Sequence, residues 1–238
     1  MKSIRWIHQV SKLAGGLLPV MLAMPGSEAG ETRATSVEGS VVHATQAIGV
    51  ISRHPHLRAD DRLGDLLRNP AFQGFVHRML PWDDRTYDET MSLAEIGRLL
   101  PYHSQVHPGV VVASLNRMVD DINAGRAVFH DFHTEVEKQR NPALRHTGLF
   151  FFRGKPGAPF AVIAPGGGFA YVGSVHEGFP YAAEISKRGL NAFVLKYRAG
   201  HGGRVATEDL AAAIAFIFRN ADALQVGTEG YTLWGSSA

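Results

Sequence analysis

The chain has 238 residues, 45% of them apolar and 19% charged, with 24 Lys plus Arg against 22 Asp plus Glu. That length allows one large or two small domains, and that composition buries a core and excludes a disordered chain. A net charge of +2 is too small for a nucleic-acid footprint, and the absence of cysteine excludes a disulfide framework, a thiolate metal site and a cysteine nucleophile.

Residues 1–12 carry Lys2, Arg5 and Lys12 and no acid. Residues 13–24 are apolar, Pro25-Gly26 breaks the run, and Ser27-Glu28-Ala29 offers small residues at the two positions a signal peptidase reads. This order predicts a secretory signal over 1–29 and an exported protein, periplasmic or secreted; the plainer alternative is a disordered or amphipathic N-terminus. The apolar run falls short of the roughly 20 residues that span a bilayer. Polar residues 31–40 read as a linker.

Residues 30–123 read as a mostly helical region. A helix is expected over 61–67 from Leu63, Leu66 and Leu67, and another over 92–100, with Ser92 and Glu95 as a capping box and Pro101 as its stop. Leu115, Met118, Val119 and Ile122 at helical spacing predict a third over 110–123. Phe72, Phe75 and Trp82 are expected to pack these helices on something larger.

The pattern changes near Gly125, and 124–238 reads as an incomplete α/β core. Residues 127–135 alternate in part and suggest an outer strand. Continuous apolar runs at 148–153, 160–164 and 190–197, and a further run at 230–234, predict four more strands. Helical spacing over 176–188, with Gly189 as the stop, and over 206–221, with Thr207 as the cap, places helices between the last three. Strand, helix, strand, helix, strand is the rhythm of a parallel sheet, whose function gathers outside the C-terminal strand ends.

Two segments stand at such ends. Pro165-Gly166-Gly167-Gly168-Phe169 follows one strand, and its glycine amides could face a developing negative oxygen; the bland reading is a flexible turn. Its spacing fits neither phosphate-binding glycine motif. Trp234-Gly235-Ser236-Ser237-Ala238 follows the last strand, and Gly235-x-Ser237 is the first three-fifths of G-x-S-x-G, the strand-to-helix elbow that exposes a serine hydroxyl. Gly-x-Ser alone is common; both corners opening on one edge of a sheet is the informative conjunction.

On Pro165–Phe169, His176-Glu177-Gly178, Ala192-Phe-Val-Leu-Lys-Tyr-Arg198 and Leu233–Ala238, residues 127–238 resemble the α/β-hydrolase superfamily, within it the esterase/lipase-like enzymes related to acetyl-xylan esterases and dienelactone hydrolases. The resemblance implies a mostly parallel sheet flanked by helices, with Ser237 as nucleophile. It implies an oxyanion hole from the backbone N–H of Ala238 and of Gly167 or Gly168, with no cofactor, no metal and a small-molecule ester as substrate. Many relatives have His where Pro165 stands; the departure leaves the glycine amides usable but removes a side chain that helps fix the loop. Residues 41–123 match no named family.

The same resemblance places the acid and the histidine of the triad after the serine, which puts both beyond residue 238. The expectation is therefore the N-terminal portion of a longer serine carboxylic-ester hydrolase, inactive or nearly so by itself. The alternatives are a serine peptidase or lactone hydrolase of the same superfamily, or a non-catalytic hydrolase-like binding protein. His201 is better read as a loop histidine than as the base. Glu177 either shapes the glycine loop or is a solvated acid at a helix start. His103 and His107 are flanked by prolines, His130 and His133 point to opposite faces of a strand, and Asp83-Asp84 and Asp120-Asp121 lack calcium-loop spacing, so none reads as a metal site.

Overall fold

The computed structural model describes residues 53–101 and 106–237. The export signal over 1–29, the linker, His103 and Ala238 lie outside the described residues. The helices are α1 (Leu63–Leu67), α2 (Val76–Met79), α3 (Pro108–Asn123), α4 (Glu135–Arg140), α5 (Phe179–Lys187), α6 (Gly202–Arg219) and α7 (Ala221–Leu224). The strands are β1 (Phe129–His130), β2 (Gly148–Phe152), β3 (Pro159–Ala164), β4 (Asn191–Lys196) and β5 (Gly227–Gly235), in the order β1-β2-β4-β3-β5. The fold is α/β. Strands β4, β3 and β5 run parallel, whereas β1 and β2 are antiparallel to their neighbours.

Period-two burial divides the sheet between two cores. Phe150, Phe152, Ile163 and Val194 face α3, α5 and the helices of the N-terminal region. Leu149, Phe151, Val162, Phe193 and Leu195 face α6 and α7. All these side chains are essentially fully buried. The expected packing of the N-terminal aromatics is direct: the Phe75 ring stacks on Phe129 at 4.9 Å and meets Phe150 edge-on at 6.1 Å.

Several local expectations are revised. The outer strand shrinks to Phe129–His130, because Thr134 caps α4 through a capping box with Glu137. The segment after Ser92 is a 3-10 helix over Leu93–Leu99; Ser92 accepts from the Ala94 N–H, and Glu95 instead pairs with Arg98 at 2.7 Å. Helix α6 begins at Gly202, so Thr207 lies inside it and its hydroxyl bonds back to the Gly203 carbonyl. The helix expected from His176 opens as a π turn over Ser174–Gly178, and Gly189 does end it with φ +89°. Among the described residues no helix is long and apolar enough to cross a membrane, and no three His, Asp or Glu side chains gather as metal ligands would.

Candidate active site

Parallel pairing of β3 with β5 aligns Ala164 with Gly235, so the chain leaves both strands at the same edge. The glycine loop and the Gly-x-Ser turn therefore meet. A Cβ at Gly166 would lie 2.9 Å from the Ser236 carbonyl oxygen and 3.0 Å from Ser237 Cβ, so only glycine allows this approach. Ser237 has φ +40°, a left-handed conformation that a non-glycine residue adopts at a cost and that is concentrated at functional turns. It is exposed.

The N–H groups of Gly167 and Gly168 converge on one oxygen. Both donate to the Ser237 carbonyl, at 3.3 and 3.1 Å. Gly167 at φ +148° and Gly168 at φ +56° make that convergence possible. Two loop amides thus point at the serine turn, with the backbone carbonyl of Ser237 as their present acceptor, while the Ala238 amide expected to pair with one of them lies outside the described residues. A substrate oxygen could use these donors only after that carbonyl turns away.

Neighbouring elements hold the loop from several sides. The Tyr197 hydroxyl, just past β4, donates to the Pro165 carbonyl at 2.9 Å, and burial pushes that phenol up to about 12. Gly200 N–H donates to the Phe169 carbonyl at 2.6 Å, and Val172 N–H to the Pro81 carbonyl at 3.1 Å. The Trp82 and Tyr171 rings lie 4.6 Å apart. The N-terminal region, unassigned by sequence, thereby abuts the glycine loop. Below the loop, Arg198 grips the buried Asp209 of α6 with bonds as short as 2.6 Å, fixing the chain where β4 turns into α6.

Glu177 was visible as a candidate in the sequence; its partner Ser236 was not. One carboxylate oxygen accepts from the Ser236 hydroxyl and the other from Gly166 N–H at 3.3 Å. Burial raises the Glu177 carboxyl, and the Gly166 bond opposes that rise. Among the described residues no histidine hydrogen-bonds to Ser237. His176 is held by the Ile96 carbonyl at 2.9 Å, His56 by Asp120 at 2.7 Å, and His201 is an exposed residue capping α6.

No family model matches the chain, and no curated protein matches it. Solved structures do. They are α/β-hydrolase esterases and lipases. An α/β-hydrolase enzyme from a Medee basin deep-sea metagenome library is 23% identical over 37% of this chain and 40% of its own, with a TM-score of 0.34. A lipase/esterase from Lactobacillus plantarum is 28% identical over the same shares, 37% and 40%, with a TM-score of 0.34. Esterase B from Lactobacillus rhamnosis is 15% identical over 53% of this chain and 44% of its own, with a TM-score of 0.36. The chain thus spans less than half the length of the structures it is similar to.

Proposed function

We propose that this chain carries the nucleophile and oxyanion corner of an exported serine carboxylic-ester hydrolase acting on small acyl esters. The observation that carries the reading is the contact between two strained turns: Ser237 at φ +40° against Gly166, with the Gly167 and Gly168 amides converging beside it. In this reading Ser237 Oγ attacks the ester carbonyl carbon and its proton passes to a general base. The carbonyl π pair moves onto oxygen, where the Gly167 and Gly168 amides, joined by the amide of Ala238, stabilise it. The C–O bond then breaks and the alcohol leaves with the base's proton. Water attacks the acyl-serine in the second half and releases the carboxylic acid. No step requires a cofactor.

Among the described residues no histidine hydrogen-bonds to Ser237, and the superfamily that the chain resembles carries its acid and histidine later in the chain than the serine. The reading therefore places the acid and the histidine after Ser237 in the encoded protein, and it makes the 238-residue chain alone inactive or nearly so. Two measurements test it. DNA read 3′ of codon 238 is expected to encode Gly, a helix, and later an Asp and a His in that order. The product of that longer frame is expected to take a fluorophosphonate probe on Ser237, and Ser237→Ala to abolish both labelling and hydrolysis of a short acyl ester. An unlabelled serine in a folded product points to the non-catalytic binding protein, and amide or lactone turnover in place of ester turnover to the neighbouring activities. Ester hydrolysis by the 238-residue chain that Ser237→Ala removes would refute the inactivity.

A further inference from the structure

Glu177 makes contacts unlike those of an ordinary surface acid. Its carboxylate is half-buried, and no Lys or Arg lies within ion-pair distance of it among the described residues. Its two oxygens instead accept from two uncharged donors on different corners, the Ser236 hydroxyl and the Gly166 N–H. The residue stands in a π turn in which Gly178 N–H donates to the Gly173 carbonyl five residues back, at 3.2 Å. Such turns are rare and are found frequently at functional sites. The turn packs tightly beneath the loop it serves: a Cβ at Gly178 would meet Val194 at 2.5 Å and Pro165 at 2.9 Å, and Gly173 N–H donates to the Gly166 carbonyl at 3.0 Å.

We infer that Glu177 is a positioning residue: its carboxylate ties the residue before the serine to the first glycine of the loop and so sets the gap between Ser237 and the Gly167 and Gly168 amides. The inference rests on the hydrolase reading for its purpose but not for its geometry. Ser236 and Gly166 each precede a functional atom by one residue, so a bond between Glu177 and both fixes the separation without touching substrate. Without it the hydrogen bonds that join the corners beyond the β3–β5 ladder are those of the two amides to the Ser237 carbonyl, which a substrate oxygen must displace.

Amide hydrogen exchange on the 238-residue chain tests this without requiring turnover. Glu177→Ala is expected to speed exchange at Gly167 and Gly168 by on the order of 10-fold or more while β2 and β4 keep their protection. Glu177→Gln, whose amide can still accept from one partner and donate to the other, is expected to restore most of that protection. Ser236→Ala removes one tie from the other side and is expected to give a smaller change in the same two amides. Unchanged exchange at Gly167 and Gly168 in both alanine variants overturns the inference, as does an equal loss across β2 and β4, which assigns Glu177 to stability alone. Failure of Ser237 to take a fluorophosphonate in the longer frame is separate: it overturns the hydrolase reading and leaves the exchange result standing.

Discussion

His176 neighbours Glu177 and behaves in the opposite way. Its Nε2 lies 2.9 Å from the Ile96 carbonyl, its Nδ1 has no partner, and burial pushes the ring down to about 4, against a small opposing effect of the Ile96 bond. The unfolded chain binds that proton near 6.5, so between pH 6.5 and 4 the unfolded state holds more protons than the folded one. The contribution is full above pH 6.5 and is lost progressively as pH falls toward 4, amounting to roughly 2 kcal/mol at pH 5. Urea unfolding at pH 7 and pH 5 is expected to show this loss, and His176→Gln to reduce it by about that amount; an identical loss in the variant would exclude His176 as its source. At this scale the sequence showed what needs special backbone. Three glycines after a strand and a Gly-x-Ser after another are readable because few residues tolerate such turns, and both turns do hold positive φ angles. The Glu177–Ser236 bond was hidden because its partners are 59 residues apart and meet only through a π turn that no spacing announces.

Lys196 ends β4 fully buried, and its ammonium reaches the Leu80 carbonyl at 3.1 Å, the Pro81 carbonyl at 3.2 Å and Asp83 at 2.9 Å. Those acceptors lie on the segment that carries Trp82 against Tyr171, so one side chain ties the N-terminal region to the strand beneath the site. Lys196→Met is expected to cost about 3 kcal/mol in urea unfolding, near the lower end for breaking a buried pair, because Asp83 keeps some contact with solvent. Replacing Asp83 by Asn as well is not expected to recover it, since the two carbonyls still lack their donor; full recovery in the double variant would limit the lysine's role to neutralising Asp83. Elements with long apolar runs or clear helical spacing were legible, and β2 to β5, α3 and α6 stand close to where those patterns put them. Strand order was not, because pairing is decided by crossovers that local pattern does not encode. Residues 127–135 misled because Phe129 and Phe132 face different cores, one beside β2 and the other ahead of a capped helix, which imitates alternation.

The two faces of the sheet are covered unequally along its width. Strands β2 and β4 are buried throughout, whereas β5 pairs only with β3 and is exposed over most of its length. Its Leu233 and Trp234 are 52% and 49% exposed, and Tyr231 stacks on Phe160 while remaining partly open to solvent. Nine residues from Gly227 to Gly235 contain one charge, Glu229, and no proline, so the free backbone edge carries almost none of the features that discourage strand addition. The 238-residue chain is therefore expected to self-associate at micromolar concentration, with sedimentation velocity showing a dimer or larger species that grows with protein. Leu233→Lys places a charge on the half-exposed position opposite Val162 of β3, from which the long side chain reaches solvent, and is expected to shift the distribution toward monomer while leaving the unfolding free energy within about 0.5 kcal/mol, the usual range for a surface change. Ser237 is reached along β5, and the contacts described for its turn run to the loop that follows β3. Association that persists unchanged in Leu233→Lys would move the sticky surface away from β5, and a large loss of stability in that variant would show that Leu233 is covered in solution.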